Sequence, residues 1–233
     1  MGAAGGLGAA LYLYNVTYFF EFTPFEVGIT AIAILFSPPL ASFLVPRTGI
    51  WFGKKRAAMA FLAFRATLYP MPYIAVLTGF WPELGSLASI AIYTTFIYLE
   101  VVALIVGAAL LDSMMADIVE DSERKTNRRS EGLFFATRAF AGKFMSAAGI
   151  AMAGVVITVA GMDGIKSVEQ MTFEIRGDLA AFFLPIYCAL CFLAIGLVNL
   201  YRIDRETHNA NLAALAERET RDTTDKAMGG DVR

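Results

Sequence analysis

The chain has 233 residues, of which 57% are hydrophobic and 17% are charged, and its formal net charge is −2. Ordinary soluble domains contain about 45–50% apolar and about 25% charged residues. The composition therefore excludes a typical soluble domain, and the near-neutral charge excludes a strongly basic nucleic-acid surface. It predicts an all-α, polytopic membrane protein.

Six apolar segments are long enough to cross a bilayer, which requires about 20 mostly apolar residues each. In chain order they cover residues 3–20, 25–45, 57–80, 85–111, 133–160 and 179–201. Prolines interrupt the second, third and sixth segments, and membrane bundles tolerate such breaks where neighbours satisfy the freed carbonyls. The sequence thus predicts six transmembrane helices in residues 1–202 and a polar tail in residues 203–233.

Lysine and arginine are concentrated in alternate loops. On the opposite side, the loops at residues 21–24 and 81–83 have no basic residue, and the loop at residues 161–178 has only Lys166 and Arg176. Basic loops usually face the cytoplasm, so both chain ends are expected there, in a plasma (inner) membrane protein. The first apolar segment follows Met1 almost directly, without the basic region and cleavage site of a secretory signal. The residues that set this orientation are Arg47, Lys54, Lys55, Arg56, Arg124, Lys125, Arg128, Arg129, Arg202 and Arg205.

Two opposite charges lie near the middle of neighbouring apolar segments. Lys143 is about 18 Å beyond Glu131, and Glu100 is about 18 Å before Asp112, at about 1.5 Å per residue. Charge at this depth is costly and by default marks a functional site. The equal depth predicts either an ion pair between Lys143 and Glu100 or two walls of one polar cavity. The alternative is a structural salt bridge between the fourth and fifth helices.

Arg65, Arg138 and Asn15 are three further polar residues of interest within the apolar segments. Arg65 and Arg138 are expected about 10–13 Å from the cytoplasmic face, where long basic side chains can extend to the interface. Asn15 in the first segment offers an amide to sugar hydroxyls, although membrane helices also use asparagine to bond one another. Arg138 and Asn15 are therefore candidate substrate contacts, with a structural role as the alternative.

No catalytic or metal-binding pattern is visible in the sequence. Cys188 and Cys191 form a C-x-x-C inside an apolar segment without a second pair, which favours buried, unreactive thiols. His208 lies in the polar tail. Nucleophile elbows and phosphate-binding loops are also missing. The sequence therefore predicts a protein that is not an enzyme and has no metal or cofactor.

Residues 116–132 read A-D-I-V-E-D-S-E-R-K-T-N-R-R-S-E-G. This stretch resembles the pattern A-D-x-x-D-Y-G-E-x-K-T-G-x-R-x-E-G of the glycoside–pentoside–hexuronide:cation symporters, the melibiose-carrier-like branch of the major facilitator superfamily. Lys143 falls twelve positions after Glu131, as the family's lysine does. The chain departs from the pattern at the aromatic position, at two of the three glycines and, further on, at a common serine; the residues there are Asp121, Ser122, Asn127 and Ala136.

The resemblance implies that the six spans are helices seven to twelve of a twelve-helix carrier. The function implied is symport of a sugar or glycoside, coupled to H⁺ or Na⁺, by alternating access. The partners implied are the lipid bilayer, a small solute and an N-terminal six-helix half. The candidate substrate contacts are Lys143, Glu100, Asn15 and Arg138, and the cytoplasmic latch that the resemblance implies between the halves consists of Asp117, Arg129 and Glu131.

Two alternatives to sugar symport stay open at this point. One is a lysophospholipid-type transporter of the same superfamily, because abundant aromatic residues suit both sugar stacking and lipid packing. The other is a non-transporting fragment or partner half.

Overall fold

The computed structural model describes residues 1–126, 130–165 and 167–201. Within them the regular structure is helical, without strands. The α-helices are α1 Gly2–Tyr14, α2 Pro24–Leu35, α3 Ser37–Phe52, α4 Lys54–Leu68, α5 Met71–Leu77, α6 Leu87–Thr126, α7 Glu131–Val159 and α8 Phe173–Asn199. A π-helical turn, Asn15–Phe19, continues α1, and a short 3₁₀ turn, Val168–Gln170, precedes α8.

Five helical stretches of the described residues are long and apolar enough to cross a membrane. They are Pro24–Phe52, Lys54–Leu77, Leu87–Thr126, Glu131–Val159 and Phe173–Asn199. They correspond to the second to sixth predicted segments, so an all-α membrane fold is confirmed. The first predicted segment is helical, but its α-helical part, α1, has only 13 residues. A sixth span is therefore not confirmed by helix length.

Prolines accompany a helix break in the second and third predicted segments, whereas Pro185 lies inside the continuous helix α8. The second span is interrupted at Phe36, two residues before Pro38, and divides there into α2 and α3. The Tyr98 hydroxyl of α6 donates a hydrogen bond to the Phe36 carbonyl at 3.3 Å. A neighbouring helix thus satisfies a carbonyl at the break, as a bilayer requires.

Helix α6 extends further than predicted, since residues 112–126 continue it as a helix rather than a loop. Near its end Asp121 pairs with Arg124 and Lys125, three and four residues later. Such pairs stabilise an exposed helix end by a few tenths of a kcal/mol, about 0.2–0.5 each. We call this end of the bundle, which holds residues 124–125 and the start of α4 at Lys54, the basic end.

The helices pack around α4, which lies against both α6 and α8. Helix α3 packs on α6, and α1 packs along α7. The larger apolar core is aromatic and lies away from the basic end, where the Tyr69 and Tyr187 rings stack with centroids 4.2 Å apart. A smaller core joins α3, α4 and α6 nearer the basic end.

Small residues bring the backbones of α1 and α7 into direct contact. A Cβ atom at Gly6 would lie 2.1 Å from the Ser146 carbonyl oxygen, and one at Gly149 would lie 2.1 Å from the Ala3 carbonyl oxygen. Close backbone approach through small residues is a main source of helix association in lipid. The α1–α7 pair therefore depends on glycine at both positions.

The same contacts fix the level of α1 relative to α7. A Cβ atom at Gly2 would lie 3.0 Å from the Gly142 carbonyl oxygen, so α1 begins beside the middle of α7. The two helices run in the same direction, because Gly6 then meets Ser146. Residues 131–141 of α7 consequently extend about 16 Å beyond the start of α1, toward the basic end.

Candidate functional site

Glu100 forms its ion pair with Arg65, not with Lys143. The Arg65 Nε donates to Glu100 Oε1, and both residues are almost completely buried, at 3% and 4% exposure. The Tyr187 hydroxyl donates to the same carboxylate oxygen at 3.1 Å, and the Arg65 guanidinium lies 5.4 Å from the Tyr187 ring centroid. The predicted Lys143–Glu100 pair is therefore wrong, and so is the expectation that Arg65 extends to the interface. In this conformation Glu100 joins α4, α6 and α8.

The depth estimate failed because α6 is longer than predicted. Asp112 pairs with Arg138, which lies seven residues inside α7 rather than at its start. Along the bundle axis, Asp112 therefore lies about 10 Å further from the basic end than Glu131 does. Glu100, counted from Asp112, then lies about 10 Å beyond the level of Lys143, too far for a direct pair.

Arg138 is half-exposed and its guanidinium binds the Asp112 carboxylate. The pair connects α6 with α7 on the side of Lys143 nearer the basic end. The partner of Arg138 was not predicted, because Asp112 was expected in a loop rather than on the continuing α6 helix.

Lys143 lies on an exposed face near the middle of α7. The structure shows its side chain exposed, and no described residue forms a hydrogen bond or ion pair with it. Two large aromatic side chains flank it, Phe140 at 72% and Phe144 at 66% exposure. We call these three residues of α7 the Lys143 face.

Asn15 lies at a different level of the bundle. Asn15 is the first residue of the π-helical turn and is fully buried. Neither its side-chain nitrogen nor its side-chain oxygen has a hydrogen-bond partner among the described residues. From the register of α1 and α7, it is about 18 Å from Lys143 along the helix axis. Asn15 and Lys143 therefore do not meet at one small site in this conformation. Single π-helical turns are frequent at functional positions, which keeps Asn15 of interest.

The predicted latch residues have different surroundings. Asp117 is buried and accepts hydrogen bonds from the Lys54 ammonium at 2.6 Å and the Tyr201 hydroxyl at 2.9 Å. Burial raises the pKa of Tyr201, and the hydrogen bond to Asp117 raises it further. Asp117 thus joins α4, α6 and the end of α8 within this chain. Glu131 is exposed at the start of α7, and Arg129 lies outside the described residues.

Sequence reasoning missed the partners at both ends of the bundle. The only sequence signals for Lys54 and Tyr201 as partners of Asp117 were weak: a basic run after Gly53 and a tyrosine that ends the last apolar segment.

At the opposite end of the bundle, the Arg176 guanidinium pairs with Glu21 and donates to the Phe19 carbonyl at 3.2 Å. Glu21 has a left-handed backbone with φ of 60°. The arginine therefore anchors the turn between α1 and α2.

The remaining candidates for chemistry give no site. Cys188 is half-buried and Cys191 is buried, and both are free thiols. Within the described ranges no group of three His, Cys, Asp or Glu residues could hold a metal ion. His208 and the predicted tail lie outside those ranges.

The chain was compared with known proteins at three levels. No curated protein and no solved structure matches it significantly. The family described as MFS/sugar transport protein matches residues 2–205, most of the 233-residue chain. Members of this family are transporters rather than enzymes. Together with its membrane-spanning helices, this match places the chain in the MFS/sugar transport protein family, as an integral membrane transport protein of the major facilitator superfamily.

Proposed function

We propose that the chain serves in cation-coupled symport of a sugar or glycoside by alternating access, as in the glycoside–pentoside–hexuronide:cation branch of its superfamily. The family match over residues 2–205 and the motif at residues 116–132 support this assignment. The helical run of residues 2–19 would be the first of six spans in a bundle of residues 1–202. The basic end would face the cytoplasm of a plasma (inner) membrane protein, by the distribution of lysine and arginine.

The exposed Lys143 carries this proposal. Placing an unpaired lysine at the centre of a membrane helix costs about 2.5–3.5 kcal/mol. Lys143 lies twelve residues inside the 29-residue α7 and has no partner among the described residues. The cost is avoided if the Lys143 face borders a polar, water-filled cavity, where the ammonium can donate hydrogen bonds to solute hydroxyls. We therefore place the solute beside Lys143.

A second six-helix unit would form the other wall of this cavity. Facilitator carriers bind their substrate near the midplane between two six-helix halves. Phe140 and Phe144 are exposed beside Lys143, as expected of a surface that another helix or a bound solute covers. We propose that this unit is an N-terminal half and that the coupling ion is H⁺ or Na⁺. Arg138 would border the cavity on the side nearer the basic end.

The latch is proposed with a changed role for Asp117. Its pair with Lys54 holds α4 against α6 within the bundle. Arg129 and Glu131, which border the start of α7 in the sequence, would make the contacts to the other half. Opening toward the cytoplasm would then exchange the pairs of Arg129 and Glu131, while Lys54 and Asp117 stay together.

Replacement of Lys143 by alanine tests the solute site. We expect Lys143→Ala to reduce sugar uptake at least tenfold, because each lost hydrogen bond to a charged group is worth about 1.5–3 kcal/mol. The measurement is uptake of labelled sugars and glycosides into vesicles that contain the chain together with an N-terminal half from the same family. Val155→Ala is the matched control, because Val155 is another exposed residue of α7.

The same vesicles separate the remaining possibilities. Equal uptake by Lys143→Ala and the control would exclude Lys143 from the solute site. Concentrative, ionophore-sensitive uptake by the chain alone would show that it needs no second half. Ionophore-insensitive uptake with both halves present would contradict cation coupling.

A lysophospholipid is the second candidate solute, and one observation favours it. The Lys143 face combines a single cation with two exposed phenyl rings, which fits an amphiphile with an anionic headgroup. Uptake of labelled lysophosphatidylglycerol in the same vesicles distinguishes the two. Transport of the lipid without transport of any sugar would overturn the sugar assignment.

A further inference from the structure

The turn between α3 and α4 combines exposed aromatic and basic residues. Ile50, Trp51 and Phe52 are 61%, 71% and 62% exposed at the end of α3. Arg47 precedes them and Arg56 follows them, and both are exposed. We call residues 47–56 the Trp51 turn. It ends an apolar stretch long enough to span a membrane, so it lies where the hydrocarbon meets water.

The two lysines of this turn already have partners in the bundle. Lys54 binds the Asp117 carboxylate at 2.6 Å. Lys55 donates to the carbonyls of Asn199 and Tyr201 at 2.7 and 2.8 Å, where α8 ends. Both lysines therefore have structural roles, which leaves the arginines for interactions outside the bundle.

The two arginines meet no carboxylate of the described residues. The Arg47 guanidinium lies 3.4 Å from the centroid of the Phe43 ring and donates to the Phe43 carbonyl at 3.0 Å. Arg56 is in the first turn of α4, beside Lys54 and Lys55. Basic residues are unfavourable at the positive end of a helix dipole, so Lys55 and Arg56, which meet no carboxylate of the described residues, create a local field that attracts an anion.

We propose that the Trp51 turn binds an anionic phospholipid of the membrane leaflet on its side. Arginine matches phosphate geometry with paired N–H donors, and tryptophan favours the headgroup level of the bilayer. The exposed Ile50, Trp51 and Phe52 side chains contact the acyl chains, while Arg47 and Arg56 contact the phosphate. A soluble anion or an acidic peptide would satisfy the arginines but leave the three apolar side chains exposed. This combination of charge and apolar surface favours a lipid.

The chain provides its own reporter, because Trp51 and Trp81 are its two tryptophans. The Trp81→Phe variant leaves Trp51 as the sole fluorophore and is reconstituted in phosphatidylcholine vesicles. Lipids brominated in the acyl chains then quench Trp51 on contact. We expect brominated phosphatidylglycerol to quench at least twofold more than brominated phosphatidylcholine at the same mole fraction. The preference should fall at high salt, because screening weakens exposed charge pairs.

Paired variants assign the preference to the two arginines. Arg47→Gln/Arg56→Gln should abolish it, whereas Arg124→Gln/Lys125→Gln should retain it, although both double variants remove two charges from the basic end. The Trp51→Phe variant, which reports from Trp81, should show no preference. Equal quenching by both lipids, or loss of the preference in the Arg124/Lys125 variant, would overturn the proposal.

The Trp81 indole donates a hydrogen bond to Ser89, so Trp81→Phe removes a contact that supports the fold. A second measurement therefore keeps both tryptophans and tests the proposal even if that variant does not fold. The unmodified chain is purified from vesicles with equal phosphatidylglycerol and phosphatidylcholine, and the retained lipids are quantified by mass spectrometry. Enrichment of phosphatidylglycerol that disappears in Arg47→Gln/Arg56→Gln supports the proposal. An unchanged lipid ratio contradicts it.

Discussion

Gly149→Leu is expected to separate α1 from α7 and to destabilise the bundle by more than about 3 kcal/mol, at or above the usual range for overpacking. A Cβ atom at this position would lie 2.1 Å from the Ala3 carbonyl oxygen and 2.7 Å from the Leu7 amide nitrogen. Both contacts are to backbone, so no rotation of a side chain can relieve them. The loss of stability is measured by thermal unfolding in detergent, with labelling of the buried Cys191 by a thiol-reactive dye as the readout.

Gly154→Leu is the matched control, because it adds the same side chain to the same helix. A Cβ atom at Gly154 meets nothing within 4 Å. Its midpoint of unfolding should stay close to that of the unmodified chain. Equal midpoints for the two variants would show that α1 does not pack on α7 at this position.

Glu100→Ala is expected to destabilise the chain by about 3–5 kcal/mol, the usual cost of leaving one partner of a buried ion pair without the other. The variant leaves the Arg65 guanidinium, 3% exposed, without a carboxylate. It also removes the acceptor of the Tyr187 hydroxyl. Chemical denaturation in mixed micelles measures the free energy of unfolding.

Two further variants identify the ion pair as the cause. Arg65→Met/Glu100→Leu removes both charges and should recover most of the stability, because apolar residues often replace a buried pair without loss. Glu83→Ala removes an exposed carboxylate of the same chain and should change the stability by less than about 0.5 kcal/mol. A Glu100→Ala variant as stable as Glu83→Ala would contradict the burial of this pair.

The sequence was informative about membrane spans and less so about their partners. Apolar length alone located the second to sixth spans to within several residues at most ends, because a bilayer allows few other solutions. The prolines also marked the break between α2 and α3 correctly. The end of α6 was missed, because residues 112–126 are polar, and a polar stretch after an apolar segment is equally compatible with a loop or an exposed helix.

Which side chains pair between helices depends on the relative level and rotation of the helices, and a single sequence contains neither. Helical rise places Glu100 and Lys143 at one level only if Asp112 and Glu131 mark equivalent helix ends, and the structure shows that they do not. The rotation of α6 directs Glu100 toward Arg65 and Tyr187, and helical rise carries no information about rotation. Charge and spacing also predict Lys143 as a substrate contact, which stays a prediction; the structure places its side chain on an exposed face without a partner in the described ranges.

The central claim is that Lys143 borders a water-filled cavity rather than lipid. Its most direct test is the reaction of Lys143→Cys with a membrane-impermeant thiol reagent, in a chain whose Cys188 and Cys191 are replaced by alanine. Phe182→Cys, an exposed position near the middle of α8, serves as the lipid-facing control. With the second half present, we predict rapid labelling at position 143, slowing when the transported solute is added, and negligible labelling at position 182. Labelling at position 143 as slow as at position 182 would contradict the account.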